Sequence, residues 1–358
     1  MSYFSKKLVF AGLLLGVWFC SYAQDPAQHT ALPQPPALTS RTISPDTLVQ
    51  RIAFASCYVP QFEQPGVWEV IGERRPDILI LMGDNVYQSE EKAEPELREL
   101  REAYMQLAQE TEFSELRAKA ATFATWDDHD YGRNDAGADL PVRYQSERLF
   151  EHIWPLPQKT VDPRIGRDGV FHAATFGPEN RRVQVLILDT RFFRGSLEDP
   201  YSTMLGEAQW SWLAEELRRP ADLRLVVSSI PVLSERDNAE NWHRLVDEQA
   251  RLLRLLKGSD GVVILSGDSH YAARYQDDES LDHRLTEFTS SSLNYPYPAE
   301  HQAEVLKPDR LRQGRPFFDA NFGWLEIDWE TRKVVITVFG VDGQLAIREA
   351  IDLTDLVN

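Results

Sequence analysis

Three apolar runs in this chain each end abruptly in acidic residues, and this pattern limits the folds that the chain can adopt. The runs and the residues after them are residues 78–82 with Gly83 and Asp84; residues 121–126 with Asp127, Asp128, His129 and Asp130; and residues 262–265 with Ser266, Gly267, Asp268, Ser269 and His270. Buried charges are costly unless they are paired or bound to a metal. In an α/β sheet the carboxyl ends of the strands form the ligand crevice. We therefore expect these acids to converge on one site, and a cluster of metal ions is the interpretation that explains them.

The pattern along the rest of the chain predicts an α/β fold. Hydrophobic periodicity predicts alternating strands and helices up to about residue 265 and a mostly β tail after it. Strands are expected at 51–56, 78–82, 169–176, 183–188, 223–228, 262–265, 285–289, 323–329 and 333–339, and helices at 66–74, 144–154, 206–218 and 242–256. A further helix carries Leu97, Leu100, Tyr104 and Leu107 on one face. This order favours two packed sheets flanked by helices.

The first residues are typical of an export signal. Lys6 and Lys7 precede an apolar run, and small residues come after it, so residues 1–23 are predicted to be a Sec-type signal peptide that is too short for a comfortable membrane span. A lipoprotein anchored at Cys20 is the less favoured alternative, because Val17, Trp18 and Phe19 are not the small residues that such a site prefers. We expect an exported protein, periplasmic or secreted, with no transmembrane segment after cleavage.

Two further segments are predicted from composition. Residues 24–47 are rich in Pro, Gln, Thr and Ser and are expected to form a flexible spacer. Residues 48–358 show no repeat or linker and are expected to form one domain. The oligomeric state is left open.

The net charge bears on the class of partner. The formal charge is −18, which argues against binding a nucleic-acid polymer, because such binding needs Lys and Arg to displace counterions. A small phosphate substrate is compatible with this charge, since bound cations dominate the local field. The acidic excess is also explained simply by the solubility of an exported protein.

Soft and anionic donors accompany the acids. Cys57 follows the first predicted strand, and after loss of the signal it has no second cysteine with which to form a disulfide. Tyr87 lies three residues after Asp84, and a phenolate with a thiolate suits a ferric ion better than Mg²⁺ or Ca²⁺. Asp268 and His270 are spaced so that both reach one cluster. The alternatives are a buried apolar role for Cys57 and an aromatic lid for Tyr87.

The central acidic stretch offers an acid catalyst. With Asp128 as a metal ligand, His129 can act as general acid, and Asp130 is available to orient its ring. Asp127 is expected to be structural, either capping a turn or bonding Trp126 or a neighbouring backbone group. Arg191 ends another strand and is expected either to bind phosphate or to form a salt bridge. Arg133 and Asn134 come after the stretch and are candidates for contacting phosphate or a metal.

Other catalytic classes lack their signals in this sequence. It contains no G-x-S-x-G elbow of a serine hydrolase. It also contains neither a Gly-rich dinucleotide loop nor a P-loop.

Several short motifs together resemble the PhoD-like (alkaline phosphatase D) metallophosphatases. They are Phe54-Ala-Ser-Cys57, Gly83-Asp-Asn-Val-Tyr87, Trp126-Asp-Asp-His-Asp130, Leu188-Asp-Thr-Arg191, Met204-Leu-Gly-Glu-Ala-Gln-Trp210, Leu265-Ser-Gly-Asp-Ser-His270 and Thr289-Ser-Ser-Ser292. The resemblance covers roughly residues 50–340. It implies the four-layer α/β/β/α metallophosphoesterase fold, a site with Fe³⁺ and Ca²⁺, and hydrolysis of phosphate monoesters or diesters.

The resemblance also implies roles for individual residues. Cys57, Asp84, Tyr87 and Asp268 match the expected metal ligands. Asp128 stands where the wider superfamily has the Asn of Gly-Asn-His, so that His129 takes the catalytic position. His270 matches the last His of Gly-His-x-His, whose first His is Asp268 here. The implied mechanism is in-line attack of a metal-bound hydroxide on phosphorus, with His129 protonating the leaving group.

Two alternatives compete with a phosphatase of this kind. A phosphodiesterase or phospholipase on the same scaffold would use the same metal ligands and differ in the walls of its pocket. A non-catalytic exported protein would use the acids to hold Ca²⁺ as a structural clip, and it would need oxygen ligands only, which gives Cys57, Tyr87 and His129 no role.

Overall fold

Two six-stranded sheets form the framework of the protein. A computed structural model describes residues 32, 34–62, 66–88, 94–155, 168–199, 201–237 and 239–357. The described residues from 34 onward belong to one compact unit, and of residues 1–32 only Leu32 is described. The predicted signal peptide lies outside the described residues.

Twelve strands and eight α-helices follow one another in the described residues. The strands are β1 Arg51–Ala55, β2 Ile78–Met82, β3 Ala121–Thr125, β4 His172–Phe176, β5 Val183–Ile187, β6 Leu223–Ser228, β7 Val262–Ser266, β8 Ala272–Asp277, β9 Leu285–Ser290, β10 Asn321–Asp328, β11 Lys333–Gly340 and β12 Leu345–Asp352. The helices are α1 Val67–Glu73, α2 Arg98–Gln109, α3 Thr111–Lys119, α4 Asp128–Tyr131, α5 Arg143–Ile153, α6 Gly206–Glu216, α7 Val246–Leu256 and α8 Gln302–Val305. Short 3-10 turns cover Trp242–Leu245, Ala299–His301 and Leu353–Leu356.

Both sheets are mixed. The first has the order β12-β11-β10-β1-β2-β3, in which β1, β2 and β3 are parallel and β10 to β12 are antiparallel. The second has the order β4-β5-β6-β7-β9-β8, in which β5, β6, β7 and β9 are parallel and the edge strands are antiparallel. The parallel strands of each sheet therefore bring their carboxyl ends to one edge.

Side-chain alternation along the strands separates the cores. In β1 and β2, Ile52, Phe54, Ile78, Ile80 and Met82 pack with apolar residues of β5, β6 and β7 to form the core between the sheets. The intervening residues face the helices on the other side, as expected when successive side chains point to opposite faces. A third core lies between the second sheet and helices α6 and α7. The layers are thus helix, sheet, sheet, helix, and the predicted fold class is confirmed.

The segment that was expected to be a flexible spacer is packed along the domain over its described part, residues 34–47. Leu38 is buried, and its backbone N–H donates to the carbonyl of Ile153 at 2.7 Å. The N–H of Arg41 donates to the carbonyl of Arg117 at 2.8 Å, and Ser40 Oγ accepts from the backbone N–H of Thr122 at 3.0 Å. These hydrogen bonds hold Leu38, Ser40 and Arg41 against the rest of the described chain.

Among the described residues, every helix falls short of the length or hydrophobicity that a membrane span requires.

Candidate metal centre

Left-handed backbone turns follow the strands that carry the predicted ligands. Cys57 has φ 60°, Asp84 has φ 51°, Asp268 has φ 66° and His270 has φ 58°. Non-glycine residues seldom adopt this conformation, and such strain concentrates at functional sites. Each turn directs a side chain toward the edge that the two sheets share.

Asp130 ties the β2 and β3 loops together. Its carboxylate accepts hydrogen bonds from the backbone N–H groups of Asp84 at 3.3 Å, Asn85 at 3.0 Å and Asp127 at 2.5 Å. The last bond belongs to a capping box in which Asp127 caps α4, so the expected capping role of Asp127 is observed. Asp130 was expected to orient the ring of His129, and that role stays a prediction; these hydrogen bonds show its carboxylate bracing two loops.

Gly83 permits the same close approach of the loops. It has φ +100°, and a Cβ added there would lie 2.6 Å from Asp127 Cβ. A side chain at this position would therefore push the β2 loop away from the β3 loop.

Four of the predicted ligands surround one point. Asp84 Oδ2 lies 3.7 Å from Cys57 Sγ and accepts a hydrogen bond from Tyr87 Oη at 2.7 Å. Tyr87 Oη lies 3.4 Å from His270 Nε2, whose Nδ1 lies 2.8 Å from the carbonyl of Tyr295. Donor atoms of Cys57, Asp84 and His270 all lie within 4.8 Å of one another. A thiol, a phenol, a carboxylate and an imidazole are thus available to one ion.

Asp128 and His129 form the next group around Asp84. Donor atoms of Asp84, Asp128 and His129 lie within 4.8 Å of one another, and His129 Nε2 is 4.0 Å from Asp128 Oδ1. The backbone N–H of His129 donates to Asp84 Oδ1 at 3.3 Å. The imidazole packs on Tyr87 with ring centroids 4.1 Å apart. Asp84 therefore belongs to both groups, as a bridging ligand would.

Two oxygen-rich groups extend the cluster to Asp268. One consists of Asp127, Glu240 and Asp268, and the other of Asp128, Asp135 and Glu240. Shared members link these groups with each other and with Asp84. Cys57, Asp84, Asp128 and Asp268 therefore face one continuous site. Sequence reasoning missed Glu240 and Asp135, which lie in loops without a strand-end motif.

Arg191 lies inside the cluster as an ion-pair partner. Its side chain is fully buried; Nε donates to Asp127 Oδ1 at 2.5 Å, and Nη2 donates to Glu240 Oε2 at 2.5 Å. Of the two roles expected for Arg191, phosphate binding or a salt bridge, the structure shows the salt bridge.

The two other candidates for phosphate contact lie at the surface. Arg133 Nη2 donates to Asp139 Oδ2 at 2.6 Å, and the side chain of Asn134 is exposed.

The electrostatics of the cluster favour a cation. Burial, together with the charges of Asp128, Asp127 and Asp130, raises the pKa of Asp84 well above its usual value. Burial also raises the pKa of Cys57, of Tyr87 and of Asp268. These groups resist ionising together, and a bound cation would relieve that repulsion.

Other groups of the cluster are ready to act as ligands. Burial lowers the pKa of His270, which keeps its imidazole neutral. Burial alone would raise the pKa of Asp128, but Arg191, His129 and the N–H of Asp135 outweigh it and lower that pKa. Asp127 Oδ2 and Asp128 Oδ1 are buried and accept no hydrogen bond from the described part of the chain. The donor set and these two oxygens fit metal ions.

Two mixed sheets between helices, with this donor cluster at their shared edge, define a metallophosphatase. The sequence model of the PhoD-like phosphatases matches residues 52–335. The chain belongs to the PhoD-like phosphatase family and is a phosphoric ester hydrolase.

Solved structures share the fold at low sequence identity. The structure of PhoD is 18% identical to this chain, with a TM-score of 0.69. The match covers 89% of this chain and 73% of the PhoD chain. GAP50 of Plasmodium, an anchor in the inner membrane complex, is 14% identical over 86% of this chain and 89% of its own, with a TM-score of 0.54. The purple acid phosphatase PPD1 from yellow lupin is 11% identical over 89% of this chain and 55% of its own, also with a TM-score of 0.54. No curated protein matches the sequence.

Proposed function

We propose that this chain is an exported metal-dependent phosphatase that hydrolyses phosphate monoesters, diesters or both, with His129 as general acid. The observation that carries the proposal is the convergence of a thiol, a phenol, carboxylates and imidazoles from separate strand ends on one buried site. Export rests on the composition of residues 1–23 alone.

The donors differ in chemistry across the site. Cys57, Tyr87, Asp84 and His270 would hold Fe³⁺, because thiolate and phenolate favour a ferric ion. Asp127, Asp128, Asp135, Glu240 and Asp268 offer oxygens only and would hold Ca²⁺. Bound cations supply positive charge for the phosphoryl oxygens and lower the pKa of water.

Residues of the chain then carry the proton and the positioning. A water oxygen bonds to phosphorus in line with the ester oxygen, and the P–O ester bond breaks. His129 donates its Nε2 proton to the departing alkoxide, from a position between Tyr87 and Asp128. Asp130 holds the two loops that carry Asp84 and His129 at a fixed separation.

The arginines of the site divide into two roles. Arg191 is saturated by carboxylates, so we assign it to positioning Asp127 and Glu240. Arg133 and Asn134 lie toward solvent and are the candidates for direct contact with the phosphate of the substrate.

Replacement of Asp84 tests the proposal. Asp84→Asn should abolish metal retention and turnover of p-nitrophenyl phosphate, because the bridging carboxylate is lost. Asp77→Asn is the matched control, since Asp77 pairs with Arg51 at the opposite ends of the strands. Full activity with the metal intact in Asp84→Asn would falsify the bridging role.

Two further measurements separate the alternatives. Parallel assays of p-nitrophenyl phosphate and its bis-ester distinguish monoesterase from diesterase activity. Elemental analysis of the protein from its native compartment should find iron with calcium. Calcium alone, without turnover of either ester, would instead support a structural clip.

A further inference from the structure

An open cleft adjoins the metal centre. Its volume is about 680 Å³, within the range of small-molecule sites. Its described lining includes Asp135, Asp139, Arg194, Glu198, Glu240 and Arg244. Two of its lining residues, Asp135 and Glu240, also form a donor group with Asp128. The cleft therefore shares two carboxylates with the donor cluster.

Most of the described lining residues of this cleft are charged. Leu197 and Ala239 provide the apolar side chains among its described lining residues. Five carboxylates line it: Asp135, Asp139, Glu198, Asp237 and Glu240. A carboxylate only accepts hydrogen bonds, and each has about four acceptor positions, so capacity remains beyond existing partners.

Both guanidinium groups of the cleft already have acceptors. Arg194 donates to Glu240 and to the backbone carbonyls of Asp135 and Ala136. Arg244 donates to Glu198 Oε1 at 2.9 Å and to the carbonyl of Asp237 at 3.3 Å. A substrate group that enters the cleft therefore meets mainly hydrogen-bond acceptors. A group that carries several hydrogen-bond donors is bound best there.

An apolar cavity does exist, but away from the metal centre. It has a volume of about 530 Å³ and is lined by residues that include Ile43, Phe123, Trp154 and Phe176. Its described lining residues include none of the donor-group residues. An alkyl chain attached to a phosphate in the metal centre would lie in the acidic cleft instead.

We propose that this cleft binds the alcohol part of the substrate and selects an alcohol with several hydroxyl groups over an alkyl chain. The inference rests on the proposed phosphatase function and narrows it, because it disfavours a phospholipase. Glu198 lies at the rim, where its side chain is 86% exposed, and it is the residue to alter without disturbing the core.

A pair of six-carbon esters tests the selection in the metal-loaded enzyme. The kcat/KM for glucose 6-phosphate should exceed that for n-hexyl phosphate by about tenfold. The reason is that the sugar hydroxyls exchange their hydrogen bonds to water for hydrogen bonds to the carboxylates of the cleft. Glu198→Leu should narrow this ratio by about threefold. Glu207→Leu is the matched control, since Glu207 is an exposed partner of Arg251 outside the cleft, and it should leave the ratio unchanged.

The outcomes separate this inference from the function on which it rests. Equal kcat/KM for the two esters, with p-nitrophenyl phosphate still hydrolysed, overturns the selectivity and leaves the phosphatase intact. Absence of turnover with every ester overturns the phosphatase. In that case the equilibrium affinities of the two esters decide the selectivity: tighter binding of glucose 6-phosphate supports it, and equal binding overturns it.

Discussion

The two ends of the parallel strands both carry acids, but the acids are handled in opposite ways. At the amino ends, Asp77 accepts backbone hydrogen bonds from Gln50 at 3.0 Å and Arg51 at 2.9 Å, and it pairs with the Arg51 guanidinium at 3.5 Å. At the carboxyl ends, Asp84 is buried among other acids, and burial with their charges raises its pKa. The acid at the amino ends thus stabilises the fold through its hydrogen bonds and ion pair. The carboxylates at the carboxyl ends repel one another, and a bound cation would relieve that repulsion.

Replacement of Cys57, at the carboxyl ends of the strands, is expected to have the largest effect on activity. Cys57→Ser should lower turnover of p-nitrophenyl phosphate by at least about a hundredfold, because a serine hydroxyl is a poor substitute for a thiolate as a ligand of the ferric ion proposed above. Steady-state kinetics with elemental analysis of iron measures the effect. The melting temperature should change little, since serine fits the same space. Retention of full iron content and full turnover would remove Cys57 from the site.

Gly83 tests how tightly the carboxyl-end loops are packed. Gly83→Ala should destabilise the protein by about 2–4 kcal/mol, because the new Cβ meets Asp127 and φ is positive. Denaturant unfolding measures the change. Gly343→Ala separates the steric contact from the backbone conformation. Gly343 has φ +87°, but a Cβ added there would have no neighbouring atom within 4 Å, so the substitution should lower the free energy of unfolding by only about 1 kcal/mol. Equal losses in both variants would mean that the loops are not in close contact.

Glu287 is a buried acid that combines features of Asp77 and Asp84: it accepts backbone hydrogen bonds, as Asp77 does, and its pKa is raised by burial, as that of Asp84 is. Burial raises its pKa to about 7, while its carboxylate accepts from the N–H groups of Val232 at 2.8 Å and Leu233 at 2.6 Å. Because the folded state holds this proton more tightly than the unfolded chain, its contribution to stability is full below the usual carboxyl pKa. That contribution is lost as the pH rises through about 7.

Glu287→Gln should therefore flatten the pH dependence of stability between about pH 4.5 and 7, with a difference of roughly 2–3 kcal/mol across that range. Urea unfolding of both proteins at several pH values measures it, and groups common to both proteins cancel. Parallel curves for the two proteins would show that Glu287 does not titrate there.

Asp77 gives the smallest expected effect. Asp77→Asn should reduce stability by about 1 kcal/mol, because the ion pair with Arg51 is partly exposed. Turnover should stay within about twofold of the parent protein. Urea unfolding and the p-nitrophenyl phosphate assay check both statements. A large loss of turnover would mean that the two strand ends are coupled.

Strand ends were the part of the site that could be predicted from the sequence. Asp84, Asp128 and Asp268 each interrupt an apolar run, and a fold has little reason to place charge there. Glu240 and Asp135 lie in loops, where acids are common and solvated, so sequence alone did not mark them. The bracing role of Asp130 depends on backbone N–H groups of another loop, which no spacing in the sequence reveals.

The same limit applies to the fold. The alternation of strands and helices predicted the two sheets, because buried parallel strands form continuous apolar runs. Strand β4 begins at His172 and not at Gly169, since the N–H groups of Gly169 and Val170 donate to Glu147 and Asp189 side chains. Strand β12 was missed because most of its residues are not buried, which leaves a weak apolar signal.

The position of β1 between β2 and β10 has a consequence for biosynthesis. β10 pairs antiparallel with β1 although residues 56–320 separate the two strands. Such distant pairing is slow to form, and here it must wait until residue 321 has been made. When Cys57 and Asp84 have just left the ribosome, strand β10, which completes their sheet, has not yet been synthesised. We therefore expect the metal centre to be among the last parts of the molecule to fold.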